Sequence, residues 1–342
     1  MSATYVQLQI STPTDGDMSL TKHISVTQRT WVHNGIGTAR FFVPNTNPLF
    51  ARITAPGTIF RLREENIPTW IGIATSQDWV PGGVTLNCKS AEWFLTGSLV
   101  GQGRVYGAAT PTNVGSVAYD VFMNACVANR PLHILKPGIF SATPMVFRSY
   151  SYDDAYDIIS KLCEDTGAAF WVDDKLNLNC QDTRGRDLRT SVMLREGKHL
   201  SDVELNVSFE DIYTAVISLS SATNVVDKYK VLKMVPSTSF FRAKRIDAGS
   251  DATPDMMVDT VQNFLQVNAH PRVAIKATVL PQAGAFPFWV GDRIRLILSN
   301  PVYSHIDVHI LGTELGTDNR LSMVCVVMDT IRTGDIQPWG IT

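Results

Sequence analysis

The sequence carries little charge, and neither sign dominates. Only 18% of its 342 residues are Asp, Glu, Lys or Arg, and 30 basic side chains are matched by 32 acidic ones. A protein that binds nucleic acid by neutralising phosphates shows a clear basic excess. We therefore expect no sequence-specific nucleic-acid binding. With 44% hydrophobic residues the chain is too apolar for a disordered protein, and its length predicts two or three packed domains.

Cysteine is scarce and irregularly placed. The cysteines are odd in number, widely spaced and never arranged as CxxC; they are Cys88, Cys126, Cys163, Cys180 and Cys325. This spacing excludes zinc ribbons and dithiol redox motifs, and it favours buried free thiols in a reducing compartment.

Long hydrophobic runs are missing as well. No stretch reaches the roughly 18 consecutive apolar residues of a membrane span. Residues 1–17 have no basic region followed by an apolar one, which a secretory signal requires. We therefore expect a soluble protein that is made in the cytosol and has no membrane partner.

The sequence also lacks the common enzyme motifs. It has no GxSxG elbow, no GxxxxGK[ST] phosphate loop and no HExxH zinc helix. Glycines at 101, 103 and 107 resemble a dinucleotide-binding loop, but the last lies one place late. We interpret residues 101–107 as a flexible interdomain loop. The sequence predicts no enzyme activity, no catalytic residue and no cofactor.

Pairs of acidic residues are the remaining candidates for hydrolytic chemistry. They are Glu64-Glu65, Asp153-Asp154 and Asp173-Asp174. The second pair fits a helix start and the third a hairpin turn. The first pair lies in the predicted loop between two strands. Within a strand, adjacent side chains point to opposite faces and could not act together as the paired acid and base of a glycosidase. A solvated loop therefore fits this pair better.

One predicted strand carries possible metal ligands. His305, Asp307 and His309 alternate with Ile306 and Val308, and therefore share one face. Alternate side chains on a strand lie roughly 7 Å apart, too far for three on one strand to hold one ion. We interpret them as a solvated strand face and predict no metal site.

Short alternating runs between turn residues fill residues 3–88 and most of residues 201–329. This pattern is typical of β-barrels and sandwiches, and Asn34-Gly35 marks a hairpin turn. Trp289, at the entry to one such run, is expected in the core. A helix begins near Thr253 and Pro254.

The middle of the chain reads differently. Residues 117–126 and 155–163 each carry an apolar stripe at helical spacing, and the second stripe follows Asp154 and ends at Gly167. Two short runs flank the turn at residues 173–175. These features predict a small α+β module.

The sequence therefore predicts a mainly β fold with α+β, in which two related β-barrel domains bracket the small module. The expected domains are a first barrel at 1–100, the module at 101–200, a second barrel with one inserted helix at 201–330, and a C-terminal tail at 331–342.

The first and last sections share the same order of elements. The matching segments are residues 42–44, 57–62, 70–72 and 84–88 in the first section, and residues 279–281, 291–296, 310–312 and 321–325 in the last. Proline ends a strand and glycine permits the next turn in both. We interpret them as two copies of one barrel, with chance similarity between strands as the alternative.

The C-terminal tail lacks a regular pattern but is rich in large apolar residues. Leaving a side chain such as Ile331 in water costs about 1.5–3 kcal/mol relative to burial. We predict that Ile336, Trp339 and Ile341 form a partner interface. Folding back on the chain's own barrel is the alternative.

Taken together, these features resemble the hub proteins at the tip of long-tailed phage tails. The resemblance lies in a helix, a strand and a glycine-aspartate-strand element at residues 255–267, 272–281 and 290–298, and in residues 70–74 and 82–86 of the first section.

The resemblance implies a homotrimer in which two related barrels per chain form a pseudo-sixfold ring. Such a ring joins the tail tube to the tail tip and lines the DNA channel, for which a near-neutral chain is suited. The implied partners are distal tail or tail tube proteins and tip fibre or spike proteins. The implied location is the virion tail tip, after assembly in the host cytoplasm. A carbohydrate-binding host-recognition module and a tail-associated cell-wall hydrolase stay open as alternatives.

Overall fold

The computed structural model describes residues 6–11, 19–21, 23–101, 103–107, 112–127, 134–146, 148–208, 213–219, 230–234, 242–247, 257–258, 261–262, 264–265, 272–280, 286–316 and 320–327. None of the helices within these ranges is both long and apolar enough to span a membrane.

The first section consists of strands and short turns. Its strands are β1 Gln7–Ser11, β2 Ser19–Thr21, β3 Ser25–Val32, β4 Thr38–Pro44, β5 Ile59–Glu64, β6 Ile67–Val80 and β7 Gly83–Ser90. A short helix α1 (Phe50–Ile53) follows β4, and a 3-10 turn (Ala91–Leu95) follows β7. Asn34 has φ 52° between the antiparallel β3 and β4, which confirms the predicted hairpin turn.

The middle section combines helices with short strands, as predicted. Its strands are β8 Arg104–Tyr106, β9 Thr112–Asn113, β10 Lys136–Phe140, β11 Met145–Val146, β12 Arg148–Tyr150, β13 Ala169–Val172 and β14 Asn177–Gln181. Its helices are α2 Val114–Val121, continued by a π-helical turn Phe122–Val127, and α3 Ala155–Thr166.

Both predicted ends of α3 are confirmed. The Asp154 side chain accepts a hydrogen bond from the Tyr156 N–H at 2.9 Å, and Gly167 ends the helix with φ 75°. The flexible loop expected at residues 101–107 is wrong, because β8 forms there and pairs with β12.

The last section returns to strands. They are β15 Met193–Arg195, β16 Leu200–Ser208, β17 Ala215–Leu219, β18 Lys230–Met234, β19 Ala243–Asp247, β20 Arg272–Val279, β21 Arg293–Ile297, β22 His305–Gly316 and β23 Leu321–Val327. The predicted helix start at Thr253 and Pro254 lies outside the described residues. Val261 and Leu265 are helical and pack against Val216 of β17.

A single thirteen-stranded sheet joins the first and last sections. Its order is β16-β20-β23-β22-β3-β4-β7-β6-β5-β1-β2, and β21 pairs with both β22 and β15. The link is the antiparallel pairing of β22 with β3. Among the described strands no pairing closes either section into a barrel. The mainly β class with an α+β module is confirmed, whereas two separate closed barrels are not.

Smaller sheets complete the fold. They have the orders β10-β14-β13, β11-β9, β12-β8 and β18-β17-β19. The first three belong to the module, and the last lies within the final section, where the helical residues pack on it.

Two hydrophobic cores lie on opposite faces of the same strands. The sheet core contains residues of both sections, such as Phe60, Trp70 and Ile294. The module core contains the apolar faces of α2 and α3 together with Ile59 and Ile71. Because side chains alternate along a strand, neighbouring residues of β5 and β6 reach different cores.

The buried residues expected from the sequence are found in these cores. All five cysteines are buried and free, which confirms the prediction of unpaired thiols. Trp289 is 8% exposed and packs edge-on against Trp31, with ring centroids 4.9 Å apart. Its predicted place in the core is therefore confirmed.

Candidate assembly interface

The predicted partner-docking residues lie outside the described part of the chain. This applies to Ile336, Trp339 and Ile341, and to Ile331 before them. Docking by the tail therefore stays a prediction. The surfaces that the structure does describe are the junction between the two sections and the free edges of the large sheet.

The strand with possible metal ligands is only partly solvated. Asp307 accepts a hydrogen bond from Arg295 at 2.7 Å, and Arg189 lies 3.4 Å away. The hydrogen bond from Arg295 and the two positive charges hold the pKa of Asp307 below its usual value. The expected solvated face is correct for exposed His305 and wrong for Asp307. In the described ranges no three His, Cys, Asp or Glu side chains gather as a metal site.

His309 is turned toward the junction rather than toward solvent. Its ring packs edge-on against His33 of the first section, with centroids 4.6 Å apart. Burial lowers the pKa of His309. The expectation that His309 is solvated is therefore also wrong, because the His33 ring, just after β3, packs against it.

The acidic pairs take part in structural interactions. Asp154 caps α3, and Asp173 accepts hydrogen bonds from the Lys175 and Asn177 N–H groups at 2.9 and 2.8 Å. Glu64 forms an ion pair with Arg29, and the two side chains are only 5% and 3% exposed. The solvated loop expected at Glu64 is therefore wrong. No local pattern reveals this pair, because Arg29 lies on a distant strand.

The internal repeat predicted from the sequence is present in the strand pairing. β4, β5, β6 and β7 correspond in order to β20, β21, β22 and β23. β4 pairs with β7 as β20 pairs with β23, β5 with β6 as β21 with β22, and β6 with β7 as β22 with β23. β3 also corresponds to β16, since each pairs with the first strand of its set.

The residue register of the two sets agrees as well. Cys88 faces Ala74 just as Cys325 faces Ile310. β6 carries a bulge between Ala74 and Ser76, and β22 carries one at the same place, between Ile310 and Gly312. A bulge is a specific feature of a strand pair. Its recurrence at the same register favours duplication over chance similarity.

Two details of the sequence alignment need correction. The shared register pairs Gly312 with Ser76, not with Gly72. It also matches Val279 with Val43, one residue from the expected position. Pro281 lies outside the described residues. A glycine marks no particular point along a strand, and only the pairing partners define the register.

The glycine-aspartate element of the second set ties the module to the sheet. Gly291 has φ 91°, as its counterpart Gly57 has φ 80°. The buried Asp292 accepts hydrogen bonds from the N–H groups of Trp289 at 2.8 Å and Arg186 at 2.7 Å. The chain segment that leaves the module is thereby fixed against β21.

The junction between the repeats is built by β3 and the far end of β22. Gly312 to Gly316 face Val32 to Gln28 in antiparallel register. The His33 N–H donates to the Leu311 carbonyl at 2.7 Å, and the Gln28 amide donates to the Glu314 carboxylate at 2.9 Å. One edge of the first repeat therefore docks on one edge of the second.

The module joins this junction through the β3–β4 turn. The Asn34 amide donates to the Ala168 carbonyl at 2.9 Å and its oxygen accepts from the Phe170 N–H at 2.8 Å. Beside it, burial and the nearby His309 and Arg184 lower the pKa of His33 to about 3. All three parts of the chain therefore meet at a half-buried histidine whose pKa lies well below neutral pH.

Three solved structures match this chain over nearly its whole length. They are prophage tail protein gp18 from Listeria monocytogenes EGD-e (TM-score 0.65, 10% identity, 94% of each chain covered), the tail protein from Neisseria meningitidis MC58 (TM-score 0.65, 14% identity, 97% of this chain and 99% of that one), and the 43 kDa tail protein of prophage MuSo2 from Shewanella oneidensis (TM-score 0.63, 13% identity, 94% of this chain and 98% of that one).

Sequence comparison adds nothing to this likeness. No protein-family model matches the chain, and no curated protein is similar enough in sequence to count as a relative. The structural likeness, at 14% identity or less, is one of fold. The chain therefore has the fold of these phage and prophage tail proteins, which confirms the resemblance drawn from its sequence.

Proposed function

We propose that the chain is a structural phage tail protein, a hub that joins the tail tube to the tail tip as a homotrimeric ring. The observation that carries this proposal is the internal repeat with matching strand register. Each chain carries two equivalent repeats, so three chains present six similar units. This number suits a match between threefold and sixfold assemblies. The shared fold with prophage tail proteins supports the same role.

The remaining parts of the proposal follow from this role. The ring surrounds the DNA channel, and a chain of net charge −2 lets DNA slide without adhering. Its neighbours are distal tail or tail tube proteins on one side and fibre or spike proteins on the other. It works at the virion tail tip, is assembled in the host cytoplasm and performs no catalysis. The structural interactions of the acidic pairs weaken the hydrolase alternative.

The first test is the mass of the purified protein in solution. A ring predicts a species of three times the 37.7 kDa chain mass by light scattering. The measurement is made over a wide range of concentrations, because weakly associating subunits assemble only when concentrated. A protein that stays monomeric at the highest concentration contradicts the ring.

The second test concerns the tail at residues 331–342. Truncation after Asp329 is expected to give a folded chain that no longer assembles, because the large apolar side chains of the tail are proposed to dock on a neighbouring subunit. Circular dichroism reports folding, and light scattering reports assembly. Trp339→Ala is the milder variant, with about 1.5–3 kcal/mol of burial at stake. Loss of folding after truncation would instead show that the tail packs on its own chain.

A further inference from the structure

We infer that copies of this chain join edge to edge by antiparallel pairing of β6 residues 77–80 with β16 residues 204–207 of the next copy. This pairing repeats, between chains, the β22–β3 contact that joins the two repeats within one chain. The inference rests on the proposed ring and names the strands that close it.

The first step is the geometry of the contact inside the chain. β21 pairs with β22 only along residues 305–309. Beyond that point β21 no longer covers this edge of β22. β3 pairs with it there instead, through residues 312–316. The unpaired N–H and C=O groups of a strand edge favour such an addition.

The second step is that the repeat creates the same edge in the first section. β6 corresponds to β22, and β5 pairs with β6 only as far as Ile73. The outer edge of β6 from 76 to 80 meets no other strand within the described residues. This edge is the counterpart of the one that β3 covers in the second section.

The third step is that the matching partner edge also exists. β16 corresponds to β3, and the two share a bulge at the same register, between Ser201 and Glu204 and between Val26 and Gln28. β16 pairs with β20 and is the last strand of the large sheet as described. The chain therefore has two complementary edges, each the counterpart of an edge already paired within it.

The register of the β22–β3 contact determines the proposed pairs. Leu315 faces Arg29 and Thr313 faces Trp31 within the chain. By equivalence Trp79 faces Leu205 of the next copy, and Gln77 faces Val207. The first of these pairs brings two large apolar side chains together across the contact.

The exposure of apolar side chains at the end of β6, next to the turn into β7, favours the binding of another strand there. Trp79 is 65% exposed and Val80 is 42% exposed, whereas Leu315, the counterpart of Trp79, is only 2% exposed. The Trp79 and Phe50 rings pack in a T-shaped arrangement, with centroids 5.8 Å apart. A large apolar side chain at an open sheet edge favours pairing with another chain. A second copy is the occupant because the complementary edge lies on the same chain.

Such a contact is head-to-tail, since different edges of the two copies meet. Head-to-tail contacts close into a ring when the rotation per subunit divides a full turn. If the step between chains equals the step between repeats, three chains close the ring.

Disulfide trapping tests the pairing directly. The His33–Leu311 hydrogen bond places Thr30 and Glu314 at a non-hydrogen-bonded pair. Their counterparts are Asn206 and Asp78, whose Cα atoms should lie about 4.5 Å apart, within disulfide range. Asp78→Cys and Asn206→Cys proteins, mixed and oxidised, should give a covalent dimer on a non-reducing gel. The native cysteines are buried and do not interfere.

The double variant reports closure and the control reports register. Asp78→Cys with Asn206→Cys should give a covalent species of three chains, whereas an unclosed contact would give a longer ladder. Asp78→Cys with Leu205→Cys should not cross-link, because a shift of one residue turns the side chain to the other face. A three-chain assembly by light scattering without cross-linking would overturn the edge pairing and leave the ring intact. Monomers without cross-linking would overturn both.

A charge difference allows a second measurement. The Gln28–Glu314 hydrogen bond inside the chain has Glu204 and Asp78 as its counterparts, so two acids meet diagonally between chains. Asp78 accepts from the Asn87 amide at 2.8 Å, and Glu204 faces Lys276 on β20. Glu204→Gln should restore the bond and lower the concentration at half-assembly a few-fold. Glu65→Gln, the same charge change on an exposed turn, is the control, and an equal effect of both would overturn the pairing.

Discussion

Replacing Gly291 by alanine is expected to lower the free energy of unfolding by about 2–5 kcal/mol. The backbone at Gly291 has φ 91°, a left-handed conformation that costs other residues about 1–2 kcal/mol. An added Cβ would also lie 2.6 Å from the Arg184 carbonyl oxygen. Overpacking of this kind adds about 1–3 kcal/mol. Urea unfolding of the variant and of the native protein measures the difference.

The repeat supplies a matched control for this substitution. Gly57 is the counterpart of Gly291 and has φ 80°, but a Cβ there would meet nothing within 4 Å. Gly57→Ala should therefore lose only the conformational part, about 1–2 kcal/mol. Equal losses at the two sites would show that the close approach of Gly291 to the segment around Arg184 adds no penalty for a Cβ atom.

Acid should destabilise the protein through His33. Burial and nearby positive groups lower the pKa of His33 to about 3 from an ordinary value of 6.5. Between these values the unfolded chain binds a proton that the folded chain does not. The contribution of His33 to the free energy of unfolding is therefore complete above pH 6.5. It falls as the pH drops below that value, by as much as about 1.4 kcal/mol per pH unit. His309 acts in the same direction, because burial lowers its pKa too.

His33→Asn should remove this contribution from the pH dependence. Between pH 7 and pH 5 the native protein is expected to lose about 2 kcal/mol more than the variant in urea unfolding. His305→Asn changes an exposed histidine of β22 and should leave the difference between the two pH values as it is in the native protein. If the native protein and His33→Asn lose the same amount, His33 is not held neutral in the folded state.

Predictions that depend only on residues a few positions apart in the sequence are confirmed by the structure. Asp154 and Gly167 begin and end α3, and Asn34 turns β3 into β4. Each acts through hydrogen bonds or backbone angles within a few residues, which spacing alone reveals. The order of strands in the repeat is recognisable for the same reason, since turns and alternating runs are local.

The tertiary structure alone decides what those strands become. The sequence by itself determined the mainly β class, the α+β module, the internal repeat and the likeness to phage tail proteins. It did not determine that β22 pairs with β3, that Glu64 binds Arg29, or that Asp307 lies between Arg189 and Arg295. Every strand edge offers the same backbone groups, and every arginine the same charge. Which of them meet depends on the path of the whole chain. Because β22 pairs with β3, the structure has one large sheet where the sequence predicted two separate barrels.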